Sequence, residues 1–119
     1  MGLDVTMDKP TIGIIGLGPV GSILAAHLAR GGVDVVVEDI AKELLVKVRD
    51  DGLRVSGIRE LAAQVGKVTG SLAELAKFEP DIVFVATKAC FLKRVLAELK
   101  PVYTPRMRVV SFQNGLDNE

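Results

Sequence analysis

The chain has little of what would tie it to several large functional classes. Its 119 residues include one cysteine, Cys90, no tryptophan and only 4% aromatics. A single thiol excludes an internal disulfide framework and agrees with a reducing compartment, so the cytoplasm is the expected setting. Neither sign of charge is in excess, with 15 Lys plus Arg against 15 Asp plus Glu. There is therefore no basic surplus to draw the chain onto a phosphate backbone, and nucleic acid is not an expected partner. No apolar run approaches the roughly twenty residues that a membrane helix requires. Residues 1–10 carry Asp4 and Asp8 and lack a charged-then-apolar signal pattern, so they read as a short disordered lead-in or expression remnant. No metal site is expected.

The composition that remains is globular, at 49% hydrophobic and 25% charged. The length fits one domain, expected over residues 11–119, large enough to bury about two thirds of its unfolded surface. Its organising stretch runs from Thr11 to Asp39. Ile12-Gly13-Ile14-Ile15 is a short apolar run of the kind that forms a strand buried on both faces. Gly16-Leu17-Gly18-Pro19-Val20-Gly21 follows as a GxGxxG turn. Val20, Ile23, Leu24, His27 and Leu28 then fall on one helical face, Pro19 suits the first helical turn, and Gly31-Gly32 marks the end. Val33 to Val37 supplies a second strand, with Asp39 just beyond it, roughly twenty residues past the last glycine of the turn.

Strand, glycine turn, helix, strand and acid in this order are the context in which a GxGxxG binds a dinucleotide. Gly16 lets the chain turn off the strand, Gly18 lacks the Cβ that would hold the backbone away from a pyrophosphate, and Gly21 lets the helix approach the sheet. The pyrophosphate lies at the helix N-terminus, where unpaired N–H groups and the helix dipole favour negative charge. The candidate cofactor-binding residues here are Gly16, Leu17, Gly18, Pro19, Val20, Gly21 and Asp39. Asp39 suits an adenosine ribose, and it equally suits capping of the helix expected over Ile40 to Asp51.

Beyond that helix, Leu53 to Ser56 alternates as a strand and Ile58 to Gly66 reads as a small hairpin-like excursion. Lys67-Val68-Thr69 is a short third sheet strand. Ser71 and Glu74 form a capping box before a brief helix, Leu72 to Lys77. Ile82 to Ala86 is the fourth sheet strand. A helix with Phe91, Leu92, Val95, Leu96 and Leu99 on its apolar face follows and closes at Pro101, and Arg108 to Phe112 is the fifth strand. Alternating strands and helices predict an α/β fold: a Rossmann-type, doubly wound parallel sheet of order 3-2-1-4-5. Ligands bind beyond the carboxyl ends of such strands where the winding reverses. That rule selects the glycine turn, Thr87-Lys88 and Gln113-Asn114, adding Lys88 and Asn114 to the candidates. Lys88 alternatively is a solvated residue ahead of a helix, and Asn114 a turn residue beside Gly115. His27 reads as packed or partly exposed, and Cys90 as a small core residue.

With these places marked, the sequence from Thr11 to Glu119 resembles the ketopantoate reductase family, the 2-dehydropantoate 2-reductases of pantothenate biosynthesis. The resemblance rests on the early GxGxxG, on Thr87-Lys88-Ala89 after the fourth strand, and on Phe112-Gln113-Asn114-Gly115-Leu116. It implies a Rossmann cofactor domain followed by a C-terminal helical domain that this chain lacks. It also implies hydride transfer from NAD(P)H to the ketone of a 2-oxo acid, a contact from Lys88 to the cofactor, and Asn114 near nicotinamide and substrate. The catalytic lysine and acid would belong to the second domain, so no catalytic residue is assigned here. Members that use NADP tend to carry an arginine where this chain has Ile40. Glu38-Asp39-Ile40 instead offers two carboxylates and no adjacent cation, which favours NAD, although Lys88 could supply the charge. A stand-alone nucleotide-binding or sensor module, and a β-hydroxyacid-type dehydrogenase domain, stay open as alternatives. Apolar surface left uncovered by a missing domain predicts self-association of the isolated piece, which is no evidence of the natural state; a homodimer is left open as a partner arrangement.

Overall fold

A computed structural model describes residues 10–55 and 61–111. The elements are β1 (Thr11–Ile15), α1 (Pro19–Arg30), β2 (Asp34–Glu38), α2 (Lys42–Asp51), β3 (Leu53–Val55), β4 (Leu61–Ala63), β5 (Lys67–Thr69), α3 (Leu72–Ala76), β6 (Ile82–Val85), α4 (Ala89–Leu99) and β7 (Arg108–Ser111). Five of the strands form one sheet in the order β5-β2-β1-β6-β7, and every neighbouring pair is parallel. Counting only the strands of that sheet, this is the expected 3-2-1-4-5 order. The excursion after α2 is an antiparallel pair, with Leu53 opposite Ala63 and Arg54 opposite Ala62.

Side chains alternate across each strand, so a parallel sheet buried on both faces divides its apolar residues between two cores. Ile12, Ile14, Val35 and Val37 face α1, α2 and the hairpin, where Ala25, Ala26, Leu45, Val48 and Leu53 meet them. Ile15, Val36, Val83 and Val85 face the other way, onto Leu72 and Leu75 of α3 and Val95 and Leu99 of α4. Full burial of a Leu or Val side chain stabilises by about 1.5–3 kcal/mol relative to leaving it in water. Removing Leu75 or Val95, neither of which is exposed, would therefore be felt across the whole sheet.

At the amino ends of the strands, Asp81 fastens β1 to β7. Its N–H donates to the Thr11 carbonyl at 2.7 Å, and its Oδ2 accepts from the Thr11 N–H at 2.9 Å. Asp81's own carbonyl accepts from Arg108 N–H at 2.9 Å. Nearby, Lys67 Nζ lies 2.6 Å from Asp34, and this hydrogen bond holds the Asp34 carboxyl below the usual range. These contacts leave the opposite, carboxyl rim of the sheet to the polar turns.

Two helix faces differ from expectation. On α1 the buried residues are Gly21, Ala25 and Ala26, while Val20 and Ile23 are exposed, as is His27. The helix approaches the sheet so closely at Gly21 that its small residues, not its branched ones, lie against the strands. On α4 the core side is Leu92, Val95 and Leu99; Phe91 and Leu96 are exposed. Cys90 is also exposed, which corrects its reading as a core residue, because the first turn of α4 stands at the rim of the sheet.

Candidate functional site

The turn between β1 and α1 is built by two glycines that the chain's own packing demands. Gly16 leaves β1 at φ +97°, and a Cβ there would lie 2.9 Å from Thr87 Cγ2. A Cβ on Gly21 would come within 1.9 Å of the Gly16 carbonyl oxygen. Both positions are therefore closed to larger residues.

Gly18 is different. Its backbone, at φ −72° and ψ −166°, suits any residue, and an added Cβ would meet nothing within 4 Å. No side chain caps α1 at this position, and Pro19 has no N–H to offer. The first N–H groups of a helix lack intrahelical partners. Open space at Gly18 and uncapped amides behind it form a cradle of the size and polarity that suits a diphosphate.

Asp39 holds this turn in place. Its Oδ2 accepts from the Leu17 N–H at 2.7 Å, and its Oδ1 accepts from the Ala41 N–H at 2.9 Å. The Asp39 N–H donates to the Thr69 carbonyl at 3.3 Å, and the Gly16 N–H donates to the Glu38 carbonyl at 2.8 Å. Ser22 Oγ donates to the Leu17 carbonyl at 2.9 Å from the first turn of α1. The expected capping role takes the form of a turn ahead of α2: the helix begins at Lys42, with Ala41 as its N-cap, not at Ile40. The carboxylate still has lone pairs to spare for a ribose hydroxyl.

Across from the glycine turn stand Ala86, Thr87 and Lys88, between β6 and α4. Together with Gly16, Gly18, Pro19, Val20, Glu38, Asp39, Ile40, Phe91 and Arg94 they line a cleft of about 390 Å³, within the size range of small-molecule sites. Lys88 is exposed and is the N-cap of α4. The cleft therefore brings together Gly16, Gly18, Pro19, Val20, Asp39 and Lys88. Leu17 and Gly21 are buried behind it as supports. Gln113 and Asn114 lie outside the described residues.

Among the lining residues that were not sequence candidates, three bear most on the chemistry. Phe91 is one, taken for part of a core face. Glu38 and Arg94 are the others. Glu38 ends β2 two residues after Val36 and so points to the α4 side of the sheet, where it is 1% exposed. Burial pushes its carboxyl up to about 7; Arg94 opposes that rise, while Asp39 and Glu98 add to it. Among the described residues, Glu38 Oε2 and Arg94 Nε are buried without a hydrogen-bond partner. Arg94 Nη1 donates to Glu98 at 3.0 Å, one helical turn on. The local run Glu38-Asp39-Ile40 carries no cation of its own, and the fold brings one to it from elsewhere. Arg94 is distant in sequence but is carried to the cleft by α4, and its charge acts on Glu38.

Residues 12–119 match the family model described as ketopantoate reductase PanE/ApbA. Over 109 residues the chain is 29% identical to a 2-dehydropantoate 2-reductase of Lactococcus lactis, covering 91% of this chain and 35% of that protein. It is 35% identical over 109 residues to a glycerol-3-phosphate dehydrogenase [NAD(P)+] of Geobacter sulfurreducens, covering 89% and 32%. The crystal structure of 2-dehydropantoate 2-reductase from Methylococcus capsulatus superposes with a TM-score of 0.73 at 26% identity, covering 88% of this chain and 34% of that one. The chain thus spans about a third of the length of the curated relatives it matches.

Proposed function

The chain belongs to the ketopantoate reductase family, and from that premise we propose that it is the cofactor-holding part of an NAD(P)-dependent reductase acting on the ketone of a 2-oxo acid. The observation that carries this reading is Gly18: among the described residues nothing requires a glycine there, and it lines the cleft at an uncapped helix start. In this reading Gly18 and Val20 present backbone amides to the diphosphate, Pro19 presets the helix entry, and Asp39 receives the adenosine ribose. Lys88 lies across the cleft on the other side of the switch point, and Asn114 serves the nicotinamide end. The bound nicotinamide supplies hydride; the residues named here bind and orient it. The acid and the substrate wall needed for turnover are assigned to the remainder of the enzyme.

The same reading includes a cytoplasmic setting, a small 2-oxo acid in the pantothenate route as second ligand, and no role for nucleic acid. A homodimer is part of it as well. Between the two cofactors, Asp39 with Glu38 behind it favours NAD(H), since a 2′-phosphate would meet two carboxyl groups first. The Geobacter relative supports a second reading, in which the same cleft holds the cofactor of a glycerol-3-phosphate dehydrogenase.

Calorimetric titration of the chain with NAD⁺ and NADP⁺ tests the first step. Binding of NAD⁺, tighter than NADP⁺ and lost in Gly18→Val, is the expected result. Heat from neither nucleotide, or binding indifferent to Gly18→Val, overturns it. Steady-state assays of the natural gene product with ketopantoate and with dihydroxyacetone phosphate then separate the two substrate readings.

A further inference from the structure

The cleft holds two opposite charges, Glu38 and Arg94, that the cofactor reading leaves unused. Glu38 Oε2 and Arg94 Nε are both buried and unpartnered among the described residues, and both side chains line the cleft. A buried polar atom left without a partner carries a desolvation cost that a ligand group can relieve. Arg94 has five N–H donors in a planar fork suited to phosphate oxygens, and among the described residues it donates to Glu98.

The position of the pair indicates which part of a ligand it meets. The diphosphate cradle is at Gly18, at the start of α1, whereas Glu38 closes β2, the strand whose end holds the ribose in this fold. Arg94 reaches the same strand end from the second turn of α4. We propose that Arg94 is the cation that meets the 2′ position of the bound adenosine, and that Glu38 holds it back, so that the pair sets the choice between NAD(H) and NADP(H). This rests on the cofactor reading above.

The charged groups acting on Glu38 are Arg94 and Glu98 from α4 and Asp39 from its own strand end; Lys88 lines the cleft as well. Among the described residues, Leu72 and Leu75 of α3 pack on the same sheet face and Thr69 pairs beside Glu38 on β5. Two of the three charges acting on Glu38 are therefore anionic, and Arg94 is bonded to Glu98 while its charge also acts on Glu38. A 2′-phosphate must draw Arg94 away from those carboxylates. A ribose bearing a 2′-hydroxyl makes no such demand. Removing the Glu38 charge frees the guanidinium for the phosphate.

The test is a double-mutant cycle on the whole chain, with Kd for NAD⁺ and NADP⁺ measured by calorimetry at pH 8 for the wild type, Glu38→Gln, Arg94→Leu and Glu38→Gln/Arg94→Leu. Circular dichroism melts confirm that each variant is folded. Glu38→Gln should strengthen NADP⁺ binding about tenfold while NAD⁺ changes less than threefold, and Arg94→Leu in the same background should erase the gain. Arg94→Lys, which keeps the charge without the fork, should retain part of it. A gain of equal size with and without Arg94 would mean that Glu38 acts by plain repulsion and would overturn the selector; so would no gain at all. Absence of binding by either nucleotide in every variant would overturn the cofactor reading and the selector together.

Discussion

Replacing Glu38 by glutamine should stabilise the protein, and by an amount that depends on pH. The residue is 1% exposed, its Oε2 has no hydrogen-bond partner among the described residues, and burial pushes its carboxyl up to about 7 from the ordinary 4.5. A folded-state value above the unfolded one means that the native chain binds more protons between the two, so stability falls as pH rises through that window. Below about pH 4.5 there is no penalty; above about 7 it is complete, at roughly 3 kcal/mol. Glutamine has nearly the same shape and carries no charge. Its amide inherits an imperfectly satisfied site, which gives back about 1 kcal/mol. The expected gain is therefore near zero at pH 5 and about 2 kcal/mol at pH 8, on the order of 8 °C in Tm for a domain of this size. Urea unfolding of both proteins at half-unit steps from pH 5 to 8 measures it, and all other titrations cancel in the difference. A gain that does not vary with pH, or a loss at every pH, would refute the burial argument for Glu38.

Two further outcomes follow from the glycine turn and from α4. Gly18→Ala should change stability by less than about 0.5 kcal/mol, because its backbone suits any residue and its Cβ meets open space, whereas Gly21→Ala should cost about 3 kcal/mol or more as the helix is pushed off the Gly16 carbonyl; parallel denaturant melts compare them, and equal effects would show that the turn is packed otherwise. Cys90, exposed on the first turn of α4, should react fully with a thiol reagent in the native state, and Cys90→Ser should shift stability by no more than about 0.5 kcal/mol; a thiol reactive only in denaturant would place it in the core.

The sheet was legible because its strands are short apolar runs separated by glycine, proline and charge, and because right-handed crossovers leave few orders, of which the glycine turn favours one. The first βαβ unit could be read almost to the residue, since Gly16 and Gly21 are dictated by local geometry. The faces of α1 and α4 were less readable. Periodicity counts apolar residues, but burial on α1 follows closeness of approach, which favours Gly21 and Ala25 over Val20 and Ile23. The Glu38–Arg94 pair was invisible for another reason: the two residues are far apart in the chain, and only packing of α4 on the β2 face brings them together. The only local sign was a charged residue in the alternation Val36, Glu38, where the apolar pattern called for another core side chain.

The bond from Asp39 to the Leu17 amide has one more implication. Loops that bind phosphate often gain their shape only when the anion arrives, and some of the association free energy is lost in that ordering. Here a carboxylate from the neighbouring strand already clamps the loop at 2.7 Å, so little freedom remains to be surrendered. Entry of a nucleotide should then leave the backbone of residues 16–21 where it stands, and the rate of capture should be governed by diffusion and charge, with no slow rearrangement preceding it.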